Sequence, residues 1–213
     1  MTFRNIIDNF NKHFRDNFWM YLITILFLCT GIILGIYSVK YMSEGDKSSL
    51  INYITSLSNS TTLESTNNKA IFFEAIKSNM PILIGYWFLG LTIFGIPVIL
   101  ILNIFKGFSI GFTFSFFIYG LENKGVLLAI LGVLPQNIIY IPCIILASVL
   151  SIQFSLNILK DKISKNHKGS REGNISTYSL TFLCFSIIMA IGFLFEAFLT
   201  PSLIKFALKS LGA

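Results

Sequence analysis

Long apolar stretches alternate with short polar segments along this chain, and most of the stretches approach the length of a membrane-crossing helix. Such a helix needs about 20 apolar residues to cover a hydrocarbon core of roughly 30 Å. Asn17 to Val39 is an uncharged run of 23 residues. Phe18, Trp19 and Tyr21 stand at its start and Tyr37 and Tyr41 around its end, where interfacial aromatic belts form. Ser78 to Leu121 holds 44 residues interrupted by one charge, Lys106. That length suits two spans with a turn between Gly95-Ile96-Pro97 and Asn103 to Gly107. The 35 uncharged residues from Gly125 to Leu159 would form a helix of about 52 Å, too long for one upright crossing. A break at Pro135 is expected there, with 127–134 as a half-helix or re-entrant piece and a full span from Pro135 to Leu159. A last span covers Ile175 to Phe195. Beyond it, Thr200-Pro201 reads as an N-cap with proline at the first helical position. These residues would open an amphipathic terminal helix with Ile204, Ala207, Leu208 and Leu211 on one side.

The pattern predicts an all-α, polytopic membrane protein with about five transmembrane helices. A segment 1–16 precedes a single membrane domain, 17–213. Composition agrees: 54% of residues are hydrophobic and 12% charged, and mean hydropathy is +0.74, whereas soluble domains carry roughly 25% charge. The formal charge of +6 comes from lysines and arginines placed between apolar runs, which signals topology and not nucleic-acid binding. Lys160, Lys162, Lys165, Lys168 and Arg171 lie in one short loop, 160–172, and Arg4, Lys12 and Arg15 in the N-terminal segment. Both are expected in the cytoplasm, and four spans between them satisfy parity. Loop 40–77 then lies outside, its four lysines balanced by Glu44, Asp46, Glu64 and Glu74. It combines a Ser/Thr/Asn-rich section, 55–68, with an amphipathic stretch carrying Leu50, Ile51, Tyr53, Ile54 and Leu57.

Catalytic patterns are missing from the sequence. His13 and His167 have no carboxylate or cysteine cluster around them, and no phosphate-binding Gly-rich loop, GxSxG or HExxH occurs. Cys29, Cys143 and Cys184 are scattered among apolar neighbours, so neither a disulfide, a metal site nor a lipid anchor is expected. No catalytic, cofactor or metal residues are therefore assigned, and an enzyme is not expected. Three features could carry function. Gly107 and Gly111 fall on one helix face and permit close backbone approach, either within the bundle or to a partner's helix. Gln136 and Asn137 follow Pro135, with Pro142 beyond; such a break can line a transport site or simply cap a helix. Glu196 ends the last span as an interfacial anchor or, deeper, as part of an ion pathway.

Asn103 to Phe112, Gly120, Lys124-Gly125, Leu134-Pro135-Gln136-Asn137, Ile141-Pro142 and Glu196 to Pro201 stand in an order and spacing that resembles the stage II sporulation protein M family. The resemblance covers most of 80–201. The wider superfamily often has Pro-His-Gly followed by Glu where this chain has Pro135-Gln136-Asn137 and then Ile138-Ile139-Tyr140, which argues against acid–base chemistry in that segment. What the resemblance implies is a non-catalytic scaffold of the engulfment machinery in the septal or engulfing mother-cell membrane. Its partners would be stage II sporulation proteins D and P, membrane-anchored peptidoglycan-degrading enzymes, and a second copy of the chain. The family sites it implies are Gly107, Gly111, Gly120 and Gly125 for packing or partner contact, and Pro135, Gln136, Asn137, Pro142, Glu196, Thr200 and Pro201 as motif residues. A channel or permease-like transporter component is the alternative reading.

Overall fold

The computed structural model describes residues 14–50, 52, 68–120, 122–163 and 171–203. Five long helices make up nearly all of them: α1 Phe18–Lys40, α2 Asn68–Gly90, α3 Gly95–Gly120, α4 Glu122–Ile163 and α5 Arg171–Leu194. One π-helical turn, Phe195–Leu199, continues α5 without interruption. The expected all-α membrane architecture is therefore observed. Helices α1, α3, α4 and the α5 rod are long and apolar enough to cross a bilayer. At 23 residues α2 has a comparable length of roughly 35 Å, but Lys69, Glu74 and Lys77 on its exposed side lower its apolarity.

Helix directions follow from the close contacts. Gly31 and Gly35 of α1 lie against Ile104 and Phe108, while Gly107 and Gly111 of α3 lie against Leu28 and Ile32. Residue numbers rise together on both helices, so α1 and α3 are parallel and the chain must return between them, which α2 does. Glycines on both sides let the two backbones touch, the geometry small residues provide when lipid removes any hydrophobic drive for helices to associate. The pairs Gln136–Thr200, Tyr140–Glu196 and Ser151–Tyr178 run in opposite order, so α4 and α5 are antiparallel. Buried residues of α1 form one stripe, Tyr21, Thr24, Leu28, Gly31, Gly35 and Val39. Its other faces are apolar and exposed, as a lipid-facing helix requires.

Three expectations change. The turn between α2 and α3 is at residues 91–94, just before Gly95; Pro97 sits in the first turn of α3, where a missing N–H costs nothing, and Asn103 to Gly107 is mid-helix. Pro135 does not break the chain, for α4 is one 42-residue helix containing Pro135 and Pro142. The amide groups next to the proline add local donors to the helix backbone. Gln136 Nε2 donates to Gly132 O at 2.8 Å, and Asn137 Nδ2 donates to Val133 O at 2.7 Å. They reach the two carbonyls that follow the one Pro135 frees, and the helix continues with no half-helix or re-entrant segment. Thr200 is likewise no N-cap, since its φ of −59° and ψ of −46° are helical and its N–H bonds to Phe195 O. This wide turn precedes Pro201, whose ring and missing N–H disfavour regular α geometry. The terminal amphipathic positions 204–211, His13, His167 and loop section 53–67 lie outside the described residues.

Candidate functional site

Polar side chains inside the bundle meet across four helices. Lys106, in the middle of α3, is only 9% exposed. Its Nζ donates to Asn79 Oδ1 of α2 at 2.5 Å and lies 5.5 Å from the centre of the Tyr140 ring of α4. The Tyr140 hydroxyl donates to Glu196 Oε2 on the π-turn at 2.7 Å. Asn79 is held in turn by its own Nδ2, which donates to Ala75 O at 2.9 Å. Counting from the 91–94 turn, Asn79 and Lys106 are each 12 residues away, or roughly 18 Å along their helices. With the turn at one interface, the pair lies near the middle of a hydrocarbon core of about 30 Å. A lone ammonium at that depth costs several kcal/mol; the amide acceptor, the ring face and the Glu196 carboxylate beyond it offset that cost.

The network is shaped by small residues. A side chain at Gly192, one turn before Glu196, would collide with the Tyr140 ring, so glycine there lets Tyr140 lie between α3 and the π-turn. Phe193 packs against the same ring at a centroid distance of 5.8 Å. Tyr86 of α2, fully buried, donates to Asn103 Oδ1 of α3 at 2.7 Å. Asn103 is 1% exposed and its Nδ2 has no partner. Nearer the 91–94 turn, the Tyr178 hydroxyl donates to Trp87 O at 3.1 Å and Ser151 Oγ at 3.3 Å, and Ser155 Oγ donates to Thr92 O at 2.7 Å.

The structure distributes the residues singled out from the sequence unevenly. Glu196 enters the network, and Gln136 meets Thr200, whose Oγ1 donates to Gln136 Oε1 at 3.1 Å. Asn137 is spent on the α4 backbone. Pro142 lies within α4 and Pro201 follows the π-turn. Gly107 and Gly111 face α1 of the same chain, so that face is closed to the helix of a partner. Gly125 packs against Phe117 O, and Gly120 ends α3. Sequence reading missed Asn79, Tyr86, Asn103, Tyr140 and, above all, Lys106. The signal was present: a single lysine within 44 apolar residues must find a partner, and Glu196 is the only carboxylate between Ile175 and Ala213. Among the described residues no three His, Cys, Asp or Glu side chains gather in a group that could hold a metal ion, and all three cysteines are free thiols.

Fold and interior together define a polytopic helical membrane protein with charged groups held inside its bundle. The family model of stage II sporulation protein M matches residues 24–201, and the chain belongs to that family. It is also 22% identical, over 187 residues, to an uncharacterized protein of Methanocaldococcus jannaschii, covering 88% of this chain and 97% of that one. No solved structure matches.

Proposed function

We propose that this sporulation-family membrane protein is a non-catalytic scaffold of the engulfment machinery, one that recruits and positions peptidoglycan-degrading enzymes around the forespore. The observation that carries the reading is the family match across residues 24–201, which takes in nearly the whole helical bundle. Two physical features support it. Side-chain bonds across the interior tie α2 to α5 into one unit. The outward faces of α1 and α5, including Leu26, Ile33, Leu183 and Ile187, are apolar and exposed, able to meet either lipid or another transmembrane anchor.

In this reading the partners are stage II sporulation proteins D and P, with a second copy of the chain alongside. The N-terminus and the segment between α4 and α5 are cytoplasmic, the segment between α1 and α2, shorter than the expected loop 40–77 because α2 begins at Asn68, is the external dock, and the site of action is the septal or engulfing mother-cell membrane. Because α1 covers Gly107 and Gly111, membrane anchors dock on the outward faces and not on that glycine pair. The test is co-purification of D and P with tagged full-length chain from sporulating cells, compared with a variant lacking 55–68. Loss of both enzymes from the variant, with insertion preserved, is expected. Failure of wild-type chain to retain either enzyme would remove the scaffold reading.

A further inference from the structure

Helix α2 carries a polar stripe on the side that faces away from the bundle. Ala75, Asn79, Leu83, Tyr86 and Gly90 pack inward. On the opposite side Ala70, Glu74, Lys77, Pro81, Ile84 and Phe88 are all exposed. Their spacing alternates four and three residues along nearly the whole helix, the repeat that keeps one stripe against a partner helix. Counting from the 91–94 turn, Lys77 is 14 residues away and Glu74 is 17. These are roughly 21 and 26 Å along the helix, so both charges lie within a hydrocarbon core of about 30 Å. Pro81 adds a third polar group, because it has no N–H to give the carbonyl of Lys77 one turn before it. Among the described residues neither Glu74 nor Lys77 has an ion-pair partner; the salt bridge Lys47–Glu44 lies elsewhere.

Lipid is a poor cover for such a stripe. Snorkelling lifts a lysine head toward the interface, but the Lys77 carbonyl is fixed in the backbone, and a bare carbonyl in hydrocarbon is costly. Helix α2 must nevertheless cross, since it joins parallel α1 and α3, and it is the long helix that lacks the apolarity of the other four. We propose that this face of α2 seats the same face of a second copy, the two α2 helices running parallel about a two-fold axis along the membrane normal. The stripe is self-complementary in that arrangement. In a parallel pair each side chain meets the partner helix at its own level and at levels three or four residues away. Glu74 of each copy therefore faces the partner's Lys77, and two reciprocal ion pairs form beside the axis, each offsetting the like charge at its own level. An unrelated anchor helix would need an ammonium and a carboxylate at matching depths; a second copy has both by symmetry. Ile84 and Phe88, each 60% exposed, supply the apolar half of the contact toward the 91–94 turn. The proposal rests on the reading above for the second copy and gives that copy its place, leaving the outward faces of α1 and α5 to membrane anchors.

The experiment uses purified full-length chain in liposomes without D or P, so its result is independent of the enzyme co-purification above. In a cysteine-free background, Ile84→Cys should form a disulfide-linked dimer on oxidation, whereas Leu183→Cys, on the outward face of α5, should not. Fluorescence energy transfer between differently labelled chains measures the dimer. Glu74→Lys or Lys77→Glu alone puts like charges at neighbouring levels of the contact and should weaken dimerisation by about tenfold or more. Glu74→Lys combined with Lys77→Glu restores opposite charges and should recover the wild-type dimer. Helical content reports folding; should a single variant fail to insert, the position of the cross-link carries the decision. A chain that is monomeric in liposomes, a dimer that cross-links at Leu183→Cys and not at Ile84→Cys, or folded single-charge variants that dimerise like wild type would overturn the proposal. So would a chain that is monomeric alone and cross-links at Ile84→Cys only to an added enzyme's anchor, which would give this face to that anchor.

Discussion

Lys106 shows how one residue can organise a membrane interior. An ammonium in hydrocarbon has no water to fall back on, so Asn79 Oδ1 and the Tyr140 ring must do what solvent does elsewhere. Replacing Asn79 by Leu strands the charge and is expected to cost about 3 kcal/mol. Lys106→Met removes the charge together with its need for a partner and should cost less. Unfolding of both variants and their combination in detergent measures this, with the double mutant less destabilised than the two single costs added. Strict additivity would show that the pair does not interact. The glycines make a second case at this scale. Leucine at Gly107 must push the α1 backbone at Leu28 aside, which predicts a loss of about 1–3 kcal/mol in stability. Gly45→Ala, with nothing nearer than 4.0 Å, should leave the unfolding midpoint unchanged. Lys106 was visible in the sequence as an interruption; its partners were not, because Asn79 and Glu196 are 27 and 90 residues distant and no local period relates them.

The helices were more legible than their ends. Uncharged runs located α1 and α5 because apolar length is itself the requirement for crossing. What misled was proline. Pro135 and Thr200-Pro201 carry the local marks of a break and of a helix start, yet the chain stays helical through both. The local backbone accommodates each proline: Gln136 and Asn137 add donors to carbonyls near the one Pro135 frees, and the π-turn widens the helix ahead of Pro201. Pro135→Ala should therefore leave helical content and fold intact. Asn137→Leu should destabilise by about 1 kcal/mol as Val133 O loses its added donor. Circular dichroism with thermal unfolding separates the two. A large gain of helix in Pro135→Ala would mean that the helix is broken there after all.

For the molecule as a whole, parallel α1 and α3 with antiparallel α4 and α5 put residue 16, the 91–94 turn, the end of α4 at Ile163 and the start of α5 at Arg171 at one end, and residue 45 at the other. In a cysteine-free background, Asp16→Cys and Phe94→Cys should react with an impermeant thiol reagent from the same side of sealed vesicles, and Gly45→Cys from the opposite side. Labelling of positions 16 and 45 from one side would refute the helix order. The sequence by itself determined that this chain lives in a membrane as a set of helices, because the transfer energy of apolar side chains is local and adds along each run. Only the tertiary structure decided which helix α1 embraces, that the prolines are crossed and not obeyed, and that Asn79, Lys106, Tyr140 and Glu196 meet. Those outcomes depend on backbone approach at glycines and on polar groups finding one another where no water competes, and both are properties of pairs far apart in the chain.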